Sequence, residues 1–558
     1  MASGGDSKSA EVIIKVLMSI VSLDVEIERT TPYAVLSKQQ ITAALATECS
    51  CEQPQWQYEE GRKRGTGLNF NLSCSICGQR VSESPPAEMN LRSALAAMML
   101  GLGFTQMREY GTIAGFGSMS HRTYQLLQDG ICAGASDSAD AICHKAVNEL
   151  KEYLRKNNLE VYDDDGNLCI AVSIDGTWHT RGHDSLHGAV FAISVDLGTA
   201  LDYTVLSRHC TVCAYNDTRV RNYDPGAYAA FQSNQHPCQI NHEGSSGSME
   251  VEGAKQLFAR SREKFGLTYA YYVGDGDSKG FEAVKDTYGS HPTVEKMECL
   301  NHVAKRVRHH IDNLRRTEYS GNKPLSDGKS FSRGKGRLGP AARERLCKNY
   351  RCALYQNAVP LSVIDSNDLQ HAVSKMQKAA KAVFYHEIRC HNNDLEKQHQ
   401  YCPDGGQSGS PSWCLYKADS SRYKGDKYLD PVFLDVLEPI ISRLTDVTLI
   451  RRCVLGNTQN NNESIHNLAW MRASKAVYRG AHSITFACAC SVIQFNQGKK
   501  GFVQMCEHLG FKPDAALIEM WHSQDLRRLQ KSSADTDRKE KRRCHQANGD
   551  DAYMSGAF

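Results

Sequence analysis

Between residues 168 and 209 three strand-like runs, LCIAVSIDGTW, HGAVFAISVDLG and ALDYTVLSRH, follow one another with only short Gly-containing or polar turns between them. Runs this rich in Val, Ile, Phe and Tyr, joined this tightly, read as neighbouring antiparallel strands. The texture then changes. A segment of helical period, MEVEGAKQLFARSREKFG, precedes a fourth strand, LTYAYYVGDGDSKGFEAV, and TVEKMECLNHVAKRVRHHIDNLRR reads as a short fifth strand running into a basic helix.

The order β-β-β-α-β-α-β-α, three antiparallel strands leading into parallel ones, is that of an RNase H-like core in an α/β protein. The chain has 558 residues, enough for several domains. The expected organisation is a partly disordered segment at 1–45, a small zinc-ribbon-like region at 46–85 and a helical region at 86–165. The first part of the core follows at 166–316, a mostly helical, basic insertion at 317–445, the last part of the core at 446–528, and a charged, disordered tail at 529–558. Within 86–165, GLGFTQMREYGTIAGFGSMSHRTYQLLQ reads as helix, Gly-containing turn, and a second helix capped by Ser118. That is the layout of a DNA-binding helix-turn-helix and equally of two plainly packed helices.

Lys plus Arg number 66 against 63 Asp plus Glu, so net charge does not mark a nucleic-acid binder and any anionic partner must be drawn by local patches. Cysteine is abundant, at 21 residues. The start, MASGGDSKSA, lacks the apolar centre of a signal peptide, and the run from Val12 to Leu23 is too short to span a bilayer and contains Lys15. The expectation is a soluble protein of a reducing compartment, with thiols either free or bound to zinc. Cys49, Cys51, Cys74 and Cys77 form one candidate zinc set, in which Cys-x-x-Cys-Gly is a knuckle turn but the first half, Cys-x-Cys, is tighter than usual. Unrelated thiols on a small hairpin fit the same residues. His386, His399, Cys402 and Cys414 form a second set, able to close a tetrahedral zinc site, with Cys390 and His391 as competing ligands.

Three acids stand out. Asp175 closes the first strand, Asp275 closes the fourth, in YVGDGDS, and Glu463 opens an Asn-rich helix, NNNESIHN. Strands one and four of such a sheet are neighbours, so the three carboxylates would meet. Together they could hold two Mg²⁺ or Mn²⁺ ions for phosphodiester chemistry, since these hard cations take carboxylate, water and phosphate oxygens. Taken singly, each acid is also an ordinary turn residue, and Asp277 competes with Asp275. YDDDGN at 162–167 reads as a polar hairpin.

SIDGTWHTRGHDSLHGAVFAISVDLG, YVGDGDSKGFEAV, VEKMECLNHVAKR and GNTQNNNESIHNLAW, with the upstream CSICG and the ending GAF, resemble the pattern of Mutator-like transposases of animal DNA transposons, in that family's order and over roughly residues 45 to 500. The resemblance implies a cut-and-paste DNA transposase with a DDE-type triad in an RNase H-like fold. It lays the family's acids on Asp175, Asp275 and Glu463, and its Cys-x-x-His signature on Cys299 and His302, as a shell beside the acids. Half of a zinc site, or packing, also fits that pair. The partners implied are the transposon's terminal inverted repeats and the target DNA, in the nucleus, with RKEKRR at 538–543 as an import signal and at least a homodimer to bring two ends together.

Two basic patches suit phosphate: Lys305, Arg306 and Arg308 on the fifth-strand helix, and Lys329, Arg333, Lys335, Arg337, Arg343 and Arg345 in KSFSRGKGRLGPAARERLCKNYR. A solvated surface is the alternative. Trp178 reads either as a core residue or as a stacking platform for an unpaired base. A domesticated DNA-binding protein that keeps the fold without cleavage is the competing function. A zinc hydrolase built on the Cys/His clusters is a third reading, but it leaves the acids idle.

Overall fold

A computed structural model of the chain describes residues 40, 43, 50–51, 55–83, 87–115, 117–180, 184–234, 236–274, 279–289, 293–364, 368–404, 412–423 and 428–547. Its strands are β1 (Trp56–Arg64), β2 (Gly67–Cys74), β3 (Arg80–Glu83), β4 (Leu168–Trp178), β5 (His187–Ser194), β6 (Ala200–Ser207), β7 (Leu267–Gly274) and β8 (Glu295–Glu298). The longer helices are α1 (Ala87–Met99), α2 (Phe104–Ile113), α3 (His121–Lys156), α4 (Met249–Phe265), α5 (Leu300–Thr317), α6 (Pro340–Gln356), α7 (Leu369–Glu387), α8 (Val432–Leu444), α9 (Asn460–Arg472), α10 (Ala481–Gln497) and α11 (Ala515–Ala547). Among the described residues no helix is long and apolar enough to cross a membrane.

The chain divides into two compact units. The first comprises residues 1–141, 207–241 and 467–518. It contains the antiparallel sheet β1-β2-β3 and helices that include α1, α2 and α10. The N-cap of α3 is Ser120, whose Oγ accepts the Thr123 N–H at 3.1 Å; the expected cap, Ser118, lies too early in the chain. Ser120 stands one residue before the helix, where its oxygen can reach the third backbone donor.

The second unit comprises residues 142–206, 242–466 and 519–558. Its mixed sheet has the order β6-β5-β4-β7-β8. β4 pairs antiparallel with β5 and parallel with β7, and β7 pairs parallel with β8. Both faces of the central strands are covered, which is why β5 and β7 are buried along their whole length. Side chains alternate along β4. Cys169 and Ala171 join a core shared with α5, α6, α7 and α8. The other face receives α4, where Gly253 sits so close to Val190 that a Cβ would lie 2.4 Å from Val190 Cγ2. α4 ends at Gly266, whose φ of +63° is the left-handed cap a glycine accepts without strain.

The polar hairpin at 162–167 is tied down by Asp163, which accepts from the Asn167 N–H and from Arg262 and Thr268. The tail expected to be disordered from 529 is instead helical through Ala547, in α11. Arg, Lys, Gln and Ala dominate it, and these are good helix formers whatever their charge.

Candidate functional site

Asp175 is not at the tip of its strand. β4 continues to Trp178, with Asp175 opposite Phe191 and Gly176 opposite Val190. The Asp-Gly pair, a turn signal in isolation, is held extended by the ladder to β5. Gly176 has a packing reason: a Cβ there would come within 2.8 Å of Glu250 Cγ, from the first turn of α4. Glu250 is thus a carboxylate beside the Asp175 strand that sequence reading did not single out. Burial, then the charges of Glu250 and Asp175, push the Tyr272 hydroxyl well above its ordinary pKa.

By alternation, Asp175 faces the same side as Ser173. That side receives the start of α9. Ser173 Oγ donates to Asn462 Oδ1 at 2.7 Å, Asn462 Nδ2 donates back to the Ser173 carbonyl at 3.3 Å, and Gln459 Nε2 donates to the Ile174 carbonyl at 3.2 Å. Asn462 is fully buried, whereas Glu463 beside it is exposed in the first turn of the helix. His466, one turn on from Glu463, places Nδ1 3.9 Å from Asp175 Oδ2 and packs its ring on Phe191. The Asn-rich sequence before and around Glu463 therefore serves as a clamp onto β4, a purpose the sequence alone did not disclose. β7 runs parallel to β4, with Val273 opposite Ser173, and ends at Gly274. Asp275 and the competing Asp277 follow in sequence and lie outside the described residues.

Cys299 links β8 to the same clamp. It is buried, its sulfur accepts the Gln459 N–H at 3.4 Å, and the next residue, Leu300, donates its N–H to the Asn457 carbonyl at 2.8 Å. Burial opposes ionisation of this thiol, but hydrogen bonds from the His302 side chain and from the N–H groups of His302 and Gln459 outweigh it, and its pKa lies below the ordinary thiol value. Trp178 donates its indole N–H to the Ser246 carbonyl at 2.7 Å and is half-buried.

The basic residues separate into two groups. Lys305, Arg308, Lys329, Arg333 and Lys335 are exposed, although Arg308 lies 3.3 Å from Glu344. Arg306 is bound to the buried Glu298 at 2.7 Å, Arg343 pairs with Asp312 and Arg345 with Glu387. Arg337 departs from its expected role at a phosphate surface: its side chain is 1% exposed and is committed to Asp327 and Asp430. A guanidinium locked between two carboxylates inside the unit is not presented to a duplex.

Among the described residues, three clusters of Cys and His have ligand atoms within 4.8 Å of one another. In the first, His386, His399, Cys402 and Cys414 converge and are all buried. The two Nδ1 atoms are 3.2 Å apart, Cys402 Sγ is 3.4 Å from His386 Nδ1, and Cys414 Sγ is 3.4 Å from His399 Nδ1. With Zn–N about 2.0 Å and Zn–S about 2.3 Å, a tetrahedral ion requires N···N of about 3.3 Å and N···S of about 3.6 Å. The competing ligands stand aside: Cys390 is outside the cluster, and His391 pairs with Asp435 at 3.3 Å. His399 Nε2 meets the Tyr423 hydroxyl at 3.2 Å, the outer hydrogen bond that orients a ligating imidazole.

Cys51, Cys74 and Cys77 form the second cluster; Cys49 lies outside the described residues. The third, Cys210, Cys213, His236 and Cys238, was not singled out from the sequence. Its signal was there, as the Cys-x-x-Cys of HCTVCAY, but the partners arrive only after a long polar stretch.

No curated protein matches the chain. A family model, Mutator-like transposase, matches residues 31–414, more than half of the sequence. The match includes Asp175, Asp275, Cys299 and His302 and stops before Glu463. The chain belongs to the Mutator-like transposase family.

Proposed function

We propose that this protein is a DDE-type DNA transposase with an RNase H-like core, which cleaves transposon terminal inverted repeats and joins the ends to target DNA. The observation that carries the reading is the clamp between Asn462 and Ser173, which fixes the helix bearing Glu463 on the face of β4 from which Asp175 projects. The strand order β6-β5-β4-β7-β8, with β4 central and β7 parallel beside it, supports the RNase H-like reading, since β7 delivers the chain to the Asp175 end of the sheet just before residue 275.

Asp175 and Glu463 offer only oxygen acceptors and retain solvent access, Asp175 with 29% of its side chain exposed, which fits a hard divalent cation that keeps part of its water. Asp175, Asp275 and Glu463 would hold two Mg²⁺ or Mn²⁺ ions, which when bound supply an activated nucleophile and stabilise the leaving oxygen. His466, beside Asp175, orients that carboxylate. Cys299 and His302 position the Gln459 end of the clamp. Lys305, Arg333 and Lys335 contribute exposed positive charge toward the DNA backbone. The His386 cluster binds a structural Zn²⁺. Two transposon ends imply at least a dimer, and the substrate implies nuclear residence.

Purified protein given a labelled transposon end and Mg²⁺ nicks it, and Asp175→Asn abolishes nicking while leaving DNA binding in place. Equal cutting by the variant removes Asp175 from the triad. Wild-type protein that binds the end but neither nicks nor excises it favours the domesticated, non-cleaving form.

A further inference from the structure

Among the described residues between Cys210 and Cys238 none but Cys210 itself is buried. It forms a run of short helices, Thr211–Tyr215, a π turn Asn216–Val220, Arg221–Tyr223 and Pro225–Ser233, and none contributes a buried residue. Tyr223 is 85% exposed and Tyr215 61%. Hydrogen bonds within these helices include local ones, from the Ala227 N–H to Asp224 and from the Tyr228 hydroxyl to Asp217. These bonds shape the helices. Its base is closed where Ser207 and Asn241 exchange two bonds, at 2.6 and 3.0 Å.

We propose that Cys210, Cys213, His236 and Cys238 bind one structural Zn²⁺, which does for this segment what a hydrophobic core does elsewhere. Cys213 Sγ lies 3.3 Å from His236 Nε2 and 3.6 Å from Cys238 Sγ, and Cys210 Sγ lies 3.6 Å from the same Nε2. Tetrahedral zinc requires about 3.6 Å for N···S and about 3.8 Å for S···S. A second feature points the same way: the Cys210 sulfur accepts backbone N–H groups from Val212, Cys213 and Gln239. N–H donors to a ligating sulfur are the outer hydrogen bonds that orient a metal ligand.

The donor set selects the ion. Three thiolates and an imidazole are soft ligands that suit Zn²⁺ and reject Mg²⁺, so this centre is separate in chemistry from the carboxylates of β4 and α9. It is separate also from the His386 cluster, which has two thiolates and two imidazoles. By joining the two ends of the segment, the ion removes most of the arrangements that a chain without a core would otherwise sample.

The full-length protein tests this without reference to DNA cleavage, so failure of the catalytic account would leave the result standing. Reduced, native protein is treated with N-ethylmaleimide with and without 1,10-phenanthroline, and each cysteine is read by peptide mass spectrometry. Cys213 is half-buried and Cys238 exposed in the fold, so geometry alone does not shield them. Both are expected to be protected in native protein and to label at least tenfold faster with chelator. The double variant Cys213→Ser, Cys238→Ser is expected to carry one zinc equivalent less than wild type and to be cleaved faster by protease between 211 and 234. The wild-type labelling needs no variant to fold. Labelling of Cys238 at one rate with and without chelator, or wild-type zinc content in the double variant, overturns the site.

Discussion

Asn462→Ala tests whether the clamp on β4 is what fixes the Glu463 helix. The wild-type side chain is fully buried, accepts from Ser173 Oγ at 2.7 Å and donates to the Ser173 carbonyl at 3.3 Å; its 3.5 Å approach to the Phe191 carbonyl is too long to weigh. Two such bonds contribute about 1 kcal/mol each, and stranding the buried Ser173 hydroxyl adds about 1–2 kcal/mol, for a local loss of about 3–4 kcal/mol. At 1.36 kcal/mol per decade, opening of the first turns of α9 becomes roughly 160- to 870-fold more frequent. Hydrogen exchange read by mass spectrometry over residues 460–466 reports that opening directly. Asn461→Ala is the control, because Asn461 is exposed and its contact with the Gly198 carbonyl is 3.5 Å long. Unchanged exchange in the Asn462 variant would mean that the clamp does not hold the helix, and with it would go the argument that Glu463 is fixed on the Asp175 face.

Arg337→Ala empties a buried site between two carboxylates that keep part of their solvent access and is expected to destabilise the fold by about 1–3 kcal/mol, whereas Arg333→Ala and Lys335→Ala leave the melting temperature unchanged and weaken DNA binding in a salt-dependent way; thermal melts and binding at two salt concentrations separate the groups. For Asp163, burial would raise the pKa, but Thr268, the Asn167 N–H and Arg262 together lower it below the ordinary carboxylate value. Its contribution to stability is therefore complete above about pH 4 and is lost as pH falls through the lowered pKa, so Asp163→Asn should melt below wild type at pH 7 and the gap should close in acid. Stripping zinc from the His386 cluster, or changing His399→Ala, should expose Cys402 and Cys414 to alkylation and make the chain near 386–423 sensitive to protease, as measured by peptide mapping.

Strand order was legible because it depends on local pattern: apolar runs, turn residues and the gap lengths between them. The place of Asp175 within β4 was not, because Asp-Gly signals a turn until the partner strand, which begins at His187, supplies Phe191 and Val190 opposite it. The use of Arg337 was hidden for a similar reason. Its neighbours in sequence are glycines and cations, while Asp430, one of the acids that fix it, comes much later in the chain. The four His386-cluster residues could be chosen by ligand type alone, yet only folding separates them from Cys390 and His391. Cys210 and Cys213 do not announce a metal site in the sequence, because a polar loop divides them from His236 and Cys238. The helix through Ala547 shows that charge density alone did not predict disorder there, since the Lys, Arg, Glu, Gln and Ala of that stretch are good helix formers.

The most direct measurement replaces Mg²⁺ with Fe²⁺ and, with ascorbate and peroxide, lets radicals formed at the bound ion cut the nearby backbone. Cuts close to residues 175, 275 and 463, suppressed together by excess Mg²⁺ and lost together in Glu463→Gln, are the result this account requires. Mg²⁺-sensitive cuts near 175 that persist in that variant, with none near 463, would mean that the acids do not share a metal site.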